Sequence, residues 1–338
     1  MASWRKGLAG AKHMLRAHVS VIFALVVALG LLAYVSYLAS VRSAGGQLWI
    51  IVQHTWLLVL VLTFPYLGAR ALVWYELLEQ LQIRVPWRQL MVAFAAGEIT
   101  KSLPAGIYVQ NLLLSRLRHL GQVSAVRSAT ATTAMLGLES ALAVPIVIII
   151  GVPGAPWLRE TLLGIVAAWV VVLLLASALV RYRARHIGPE TALWRRRAVQ
   201  AIEEFLTAGR ELISFRTAKN LVPTAIYMLI YSIDLYAITR AAGIHNFSVI
   251  DAVDVYALTV LAVILIPIPT ELGITEFAGL GGLLAFGIPR PTAALIILSL
   301  RLLATGATDL VSAAVLLLLR QELVTRKTEM IAEARAGQ

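Results

Sequence analysis

Four charged residues in the C-terminal part of the sequence are predicted to lie at membrane depth. Glu271 and Glu276 belong to the stretch IPIPTELGITEF (266–277), and Arg301 and Asp309 follow. Ionisable residues are expensive to bury among apolar residues at membrane depth, and they mark binding or ion-conducting sites. Arg301 and Asp309 are eight positions apart, which places them on roughly one helix face. The pattern predicts a site for an anion such as a phosphate, or a structural pairing of Arg301 with Glu276 or Asp309.

A second charged region precedes the stretch SLPAGIYVQN (102–111). Glu98 and Lys101 are one helical turn apart, so they are expected to pair. Other polar residues predicted to line the same site are Tyr108, Gln110, Asn111 and Glu139. The alternative for Tyr108, Gln110 and Asn111 is simple hydrogen bonding at the hairpin tip, and for Glu139 it is a structural pair.

The composition defines the class of protein. The 338 residues are 59% hydrophobic and 14% charged, with a mean hydropathy of +0.82. Such a chain has too few polar residues to cover a soluble surface, so it is a polytopic membrane protein. The net charge of +11 is explained by positive loops retained in the cytoplasm, and nucleic-acid binding is not predicted.

Common enzyme motifs are missing from the sequence. It contains no HExxH, no GxSxG and no GxxxxGK[ST], its six histidines are scattered, and it has no cysteine. We therefore predict no catalytic residue, no metal site and no cofactor. An intramembrane enzyme that works with carboxylates alone is the alternative, since carboxyl groups suffice as acid and base in some hydrolases.

Six stretches are long and apolar enough for full membrane spans, each needing roughly 20 residues. They are 19–41, 48–69, 129–151, 161–180, 220–240 and 291–319. Two more apolar regions, 88–119 and 252–288, are interrupted by proline, glycine and charge, and they are predicted to be re-entrant hairpins. The predicted fold is an all-α polytopic membrane protein with six full spans and two oppositely oriented re-entrant hairpins.

The distribution of Lys and Arg sets the orientation. With both hairpins entering and leaving on one side, the N-terminus, 70–88, 115–128, 181–219 and the C-terminal tail are cytoplasmic. These segments hold 23 of the 29 Lys and Arg residues. That asymmetry follows the positive-inside rule and predicts a multi-pass protein of the cytoplasmic membrane with both termini inside. Within 70–88 and 181–219, residues 72–83 and 198–215 are predicted to be interfacial amphipathic helices.

The predicted order of spans repeats within one transmembrane domain, 1–338. Residues 15–151 read as span, span, hairpin and span, and 161–320 repeat that order from the opposite side. Inverted repeats with breaks at matching places are typical of transporters, with the binding site where the breaks meet. The predicted hairpin-tip residues are Pro104, Gly106, Pro267, Pro269, Gly273 and Thr275. Half-helices beginning at such tips would point their N–H groups at an anion.

These stretches resemble the transmembrane domain of lysylphosphatidylglycerol synthase/flippase proteins and their stand-alone flippase-like relatives. The similarity is carried by SLPAG (102–106) and by PIPTELGITEFAGLGGLLAFGIPRPTAALIILSLRLL (267–303). It covers about residues 15–320. The chain differs from the family by having AGIYVQN where a Gly-Glu and an Arg are usual. The resemblance implies the lipid-moving half of such proteins without lipid aminoacylation.

Together these features predict a flippase-like transporter of a lipid headgroup, most simply an anionic one. Its expected partner is a membrane phospholipid or a lipid-linked substrate, and the sequence leaves homo-oligomerisation open. Two alternatives are an intramembrane enzyme acting on a lipid-linked substrate and a secondary carrier of a polyprenyl phosphate or small solute.

Overall fold

The computed structural model of the protein describes residues 44–103, 105–117, 123–151, 193–265 and 273–323, with the isolated positions 160, 164, 171 and 178. Every regular element in these segments is helical. The α-helices are α1 (Ala44–Gln80), α2 (Trp87–Thr100), α3 (Val109–Leu114), α4 (Ala125–Ile150), α5 (Leu193–Glu211), α6 (Phe215–Lys219), α7 (Leu221–Ala241), α8 (Val249–Leu265), α9 (Ile274–Ala285), α10 (Arg290–Leu300) and α11 (Gly306–Leu318). A π-helical turn, Arg301–Thr305, joins α10 to α11, and short 3-10 turns span Gly106–Tyr108 and Arg320–Leu323.

Several predictions concern residues outside these segments. The predicted span 19–41 lies there, as does 161–180 apart from three helical positions. The same is true of the hairpin-tip residues Pro104, Pro267 and Pro269 and of the site residue Glu271. These assignments stay predictions.

Four helical stretches within the described residues have the length and apolarity of membrane spans. They are Gly45–Gln80, Ala125–Ile150, Phe215–Ala241 and Arg290–Leu318. Each contains or closely matches one of the predicted spans 48–69, 129–151, 220–240 and 291–319, so these four are confirmed as membrane-crossing helices by length and composition. The protein is therefore a multi-pass, all-helical membrane protein in the part that the structure describes.

The helix α1 corrects one prediction. Residues 72–83 were expected to form a separate interfacial helix, but α1 continues without interruption to Gln80. Between Tyr66 and Gln80 the sequence contains no proline that would end the helix. Leu77 and Leu78 are fully buried in the main apolar core, so they do not lie on a membrane surface. At 1.5 Å per residue, the 36-residue stretch is about 54 Å long, well beyond the hydrocarbon thickness of about 30 Å.

The first interrupted region consists of two helices that pack against each other. Residues 101–103 and 105, between α2 and α3, are not helical, and Ala105 has the left-handed conformation at φ 57°. The Thr100 hydroxyl donates a hydrogen bond of 2.8 Å to the carbonyl of Gly106 and closes the turn. The break predicted in this region is present, and neither helix is long enough to count as a span.

Gly106 is required by the close approach of the backbone at this turn. A Cβ atom added there would lie 1.6 Å from the carbonyl oxygen of Thr100, a contact that only backbone movement could relieve. We expect Gly106→Ala to destabilise the protein by about 1–3 kcal/mol. Gly137→Ala in α4, where the added atom meets nothing within 4 Å, is the matched control and should be neutral or slightly stabilising. Thermal unfolding in detergent measures both, and equal midpoints for the two variants would contradict this account.

The second interrupted region also contains two helices that pack against each other, α8 and α9. The helix α9 begins after Gly273, whose φ of 88° favours glycine. The backbone N–H of Gly273 donates a 2.6 Å hydrogen bond to the Glu276 carboxylate, and this bond caps the helix. With 12 residues, α9 is about 18 Å long and too short to cross the bilayer.

Contacts between the two halves follow a regular pattern. The helices α1 and α7 pack along each other. The helix α2, from the first interrupted region, packs on α11, and α8, from the second, packs on α4. Within each half, α3 packs on α4 and α9 packs on α10. Each interrupted region is therefore held by the last span of the other half and by the last span of its own.

Candidate functional site

A polar cavity of about 100 Å³, enough room for several water molecules, lies between the two halves. The helices α1, α4, α7, α8 and α9 and the α10–π–α11 stretch contribute to its wall. Its charged lining residues are Arg70, Lys101, Glu139, Glu276 and Arg301. The predicted site residues Lys101, Glu139, Glu276 and Arg301, and the predicted tip residue Thr275, therefore meet at one place.

Arg70 is the centre of a buried ionic cluster on one side of the cavity. Its Nε lies 3.3 Å from an oxygen of Glu98, and its NH1 lies 3.5 Å from an oxygen of Glu139. The other oxygen of Glu98 accepts a 2.8 Å bond from the Lys101 ammonium, as the sequence spacing predicted. These four side chains are at most 10% exposed. The cluster joins α1, α2, α4 and the first break.

Aromatic side chains complete this cluster. The Arg70 NH1 donates a 2.9 Å hydrogen bond to the hydroxyl of Tyr66, and the Tyr227 hydroxyl donates one of 2.8 Å to Glu139. The guanidinium carbon lies 5.4–5.5 Å from the centres of both tyrosine rings, within cation–π range. Two further tyrosines of the cavity wall, Tyr231 and Tyr256, stack at 4.6 Å. Two cations, two carboxylates and their tyrosine partners thus balance one another in a region shielded from solvent.

Arg301 forms a second ionic group, which we call the bridge: Ser102, Glu276 and Arg301. The Arg301 Nε lies 3.1 Å from Glu276, and its NH2 donates a 2.8 Å hydrogen bond to the Ser102 hydroxyl. Thr275 also donates, at 2.9 Å, to Glu276. Ser102 belongs to the first break and Glu276 to the first turn of α9, after the second break. One side chain thus holds the two interrupted regions together, from a π-helical turn of a kind often found at functional sites.

The two ionic groups differ in their access to the cavity. Arg301 and Glu276 are 23% and 14% exposed, compared with 6% and 2% for Arg70 and Glu98. Water or a ligand can therefore reach the Arg301 guanidinium with little rearrangement. Arg70 would first have to give up several short-range partners. The bridge is the part of the site that suits ligand binding, whereas the Arg70 cluster suits a structural role.

Other predicted site residues lie away from this cavity. Tyr108 hydrogen-bonds Thr133, and the side-chain amides of Gln110 and Asn111 both donate to the Thr132 hydroxyl, at 2.7 and 2.9 Å. These bonds fasten the first interrupted region to α4, which agrees with the alternative of structural hydrogen bonding at the hairpin tip. Their contact with a substrate stays a prediction.

Two acidic residues of the prediction are also placed by the structure. Glu98 is buried behind Lys101 in the Arg70 cluster. Asp309, in α11, is half-buried, and the described cavity lining contains its neighbour Thr308 but not Asp309. Arg301 forms an ion pair with Glu276, so of the two structural partners proposed for this arginine the structure shows Glu276.

The sequence analysis missed Arg70 and the cavity tyrosines. Arg70 was placed in a cytoplasmic loop because the apolar window of the second span ends at residue 69. The available signal was the lack of any helix-breaking residue between Arg70 and Gln80. Without Arg70, 22 of the 29 Lys and Arg residues remain in the predicted cytoplasmic segments, and the charge bias keeps its sign.

Comparison with known families places the chain among lipid-related membrane proteins. The family model for the lysylphosphatidylglycerol synthase TM region matches residues 21–311. The chain belongs to this family. The match with the lysylphosphatidylglycerol synthase TM region confirms the resemblance carried by the two interrupted stretches, and it includes every charged residue of the cavity. No curated protein and no solved structure matches the chain. Membership supports a lipid-related function in the membrane.

Proposed function

We propose that this protein is a flippase-like transporter that moves the headgroup of a phospholipid, most simply an anionic one, between the two leaflets. The observation that carries the proposal is the bridge. Two interrupted regions from different halves of the chain meet at a polar cavity, and the accessible cation Arg301 contacts both of them. A charged headgroup crosses hydrocarbon slowly because its desolvation is costly, and a polar path through the protein lowers that cost.

We also propose that the two halves, 15–151 and 161–320, are inverted repeats with six spans and two re-entrant hairpins. The packing pattern supports this relation. A two-fold axis that exchanges the halves would relate α1 to α7. The contact between α2 and α11 would then be equivalent to the contact between α8 and α4. The contact between α3 and α4 would likewise be equivalent to the contact between α9 and α10. All these contacts occur in the described residues, and binding sites of such transporters form where the repeats meet.

The proposed ligand group is the lipid phosphate. A guanidinium binds phosphate through two parallel hydrogen bonds, and those bonds are stronger than neutral ones. Arg301 directs its Nε and NH2 at Glu276 and Ser102. A phosphate that replaces these two partners keeps the arginine satisfied during transfer. The sequence has no P-loop motif, so we propose downhill or ion-coupled movement.

The ion pairing of Glu98, Glu139 and Glu276 favours transport over catalysis. Glu98 and Glu139 are ion-paired with Arg70, and Glu276 is ion-paired with Arg301. A general acid or base must reach the reacting atom, whereas each of these groups is held by a cation in the described structure. We therefore propose that the protein is not an enzyme. Its location would be the cytoplasmic membrane with both termini inside, on the positive-inside argument.

The proposal is tested by reconstitution in liposomes that carry a trace of headgroup-labelled phosphatidylglycerol. An impermeant quencher reaches only the outer leaflet, so loss of the protected fraction reports movement between leaflets. We expect faster loss in protein-containing vesicles than in protein-free vesicles of equal size. Equal rates for labelled phosphatidylglycerol, phosphatidylethanolamine and phosphatidylcholine, all matching protein-free vesicles, would contradict the proposed function.

A further inference from the structure

Each residue of the bridge is followed in sequence by a large apolar side chain that is exposed. These are Leu103, Phe277 and Leu302, with exposures of 52%, 78% and 55%. They lie on three different segments of the chain: the first break, α9 and the π-helical turn. The pattern of an inward polar residue followed by an outward apolar one therefore occurs three times around one guanidinium.

This arrangement indicates that the bridge lies on the lipid-facing side of the cavity wall. Consecutive Cα atoms are about 3.8 Å apart. Each exposed apolar side chain is therefore attached within that distance of a bridge residue. In a membrane-spanning protein, exposed apolar side chains within the bilayer face lipid tails, because exposed polar groups are costly there. We infer that the bridge is the part of the cavity wall between the charged lining and the acyl chains.

We propose that the bridge and Leu103, Phe277 and Leu302 form a lateral doorway that binds one phospholipid. Its phosphate contacts Arg301, and its acyl chains lie across the three exposed side chains, outside the cavity. This inference rests on the proposed function and adds the place where the lipid enters. The charge of the guanidinium, which is 23% exposed, beside an apolar surface complements the amphipathic shape of an anionic phospholipid. A soluble anion would gain nothing from the apolar part.

The doorway also explains why the bridge joins the two breaks. A phosphate on Arg301 replaces the hydroxyl of Ser102 and the carboxylate of Glu276 as partners of the guanidinium. Loss of those two bonds removes the direct contacts of Arg301 with both interrupted regions. The regions can then separate and admit the headgroup, while the acyl chains remain in the hydrocarbon.

The chain has no cysteine, so a single introduced cysteine can carry a fluorophore. We would label Leu302→Cys with bimane and titrate brominated-chain phosphatidylglycerol into phosphatidylcholine vesicles that hold the protein. The matched control is Leu229→Cys, which is mid-span in α7 and 46% exposed but remote in sequence from the bridge. Because a charge-assisted contact with Arg301 favours the anionic lipid at the doorway, we expect half-maximal quenching at Leu302→Cys at about a tenfold lower mole fraction than at Leu229→Cys.

The same titration in Arg301→Ala should remove the difference between the two positions. Identical quenching curves at the two labelled positions in the otherwise wild-type protein would overturn the doorway. The result is separable from the transport assay. If the protein transports lipid but the two quenching curves are identical, the doorway is refuted and the proposed function stands. If quenching is preferential at Leu302→Cys but no lipid is transported, the proposed function is refuted and the lipid-binding doorway stands. Equal enrichment of brominated phosphatidylcholine would refute the role of the lipid's negative charge.

Discussion

Replacing Arg301 with alanine is expected to slow lipid transport about tenfold or more, because charge-assisted hydrogen bonds to the phosphate are worth about 1.5–3 kcal/mol. Arg301→Lys keeps the charge but loses the planar fork, so an intermediate rate is expected. Arg290→Ala is the matched control, since this arginine is exposed at the start of the same helix. The measurement is the leaflet-exchange rate of headgroup-labelled phosphatidylglycerol in liposomes.

Arg301→Ala alone leaves Glu276 without its ion-pair partner, which could destabilise the protein for reasons unrelated to transport. The double variant Arg301→Ala/Glu276→Gln removes both charges. Glutamine can still cap α9 through the N–H of Gly273, so the local fold is retained. We expect the double variant to fold and to remain slow. A double variant that transports at the wild-type rate would contradict the role assigned to the bridge.

The largest loss of stability is expected for Arg70→Leu. Removing one partner of a buried ion pair typically costs about 3–5 kcal/mol, because the other charge is left uncompensated. In this variant both Glu98 and Glu139 lose the guanidinium, and Tyr66 loses its donor. The free energy of unfolding should fall by that amount in a detergent-based unfolding titration.

Two variants make this prediction specific. Arg84→Leu removes an exposed arginine just after α1 and should change stability by less than about 0.5 kcal/mol. Arg70→Leu/Glu98→Leu removes a complete pair, and it should be less destabilised than the sum of the two single variants. Additive losses, or a wild-type stability for Arg70→Leu, would show that the cluster does not stabilise the fold.

The spans and the breaks were predictable because local composition dictates them. A run of roughly 20 apolar residues has few alternatives to a membrane helix, and the four described examples were identified in advance. Both breaks were visible in the sequence because proline, glycine and charged residues interrupt an apolar region there. The structure adds the reason for Gly106, where a Cβ atom would clash with the backbone.

The pairing of charges was only partly predictable, because it depends on how the helices pack. Glu98 with Lys101 is a local pair, and spacing alone indicates it. The hydrogen bond between Ser102 and Arg301 joins residues 199 positions apart, and periodicity carries no information about such a contact. Arg70 was assigned to a loop because an arginine ordinarily ends an apolar window. The carboxylates of α2 and α4 and the rings of Tyr66 and Tyr227, which packing brings to it, allow it to be buried.

The central claim is that the two interrupted regions enter the membrane from opposite faces and meet at the cavity. Single cysteines at exposed residues test it directly, since the chain has none of its own. Arg84 and Arg116 bracket the first region, and Asn246 and Arg290 bracket the second. With an impermeant maleimide on intact cells, we predict labelling at positions 246 and 290 and protection at 84 and 116 until the membrane is permeabilised. Labelling of 84 and 116 from opposite sides, or of 246 and 290 from opposite sides, would contradict the account.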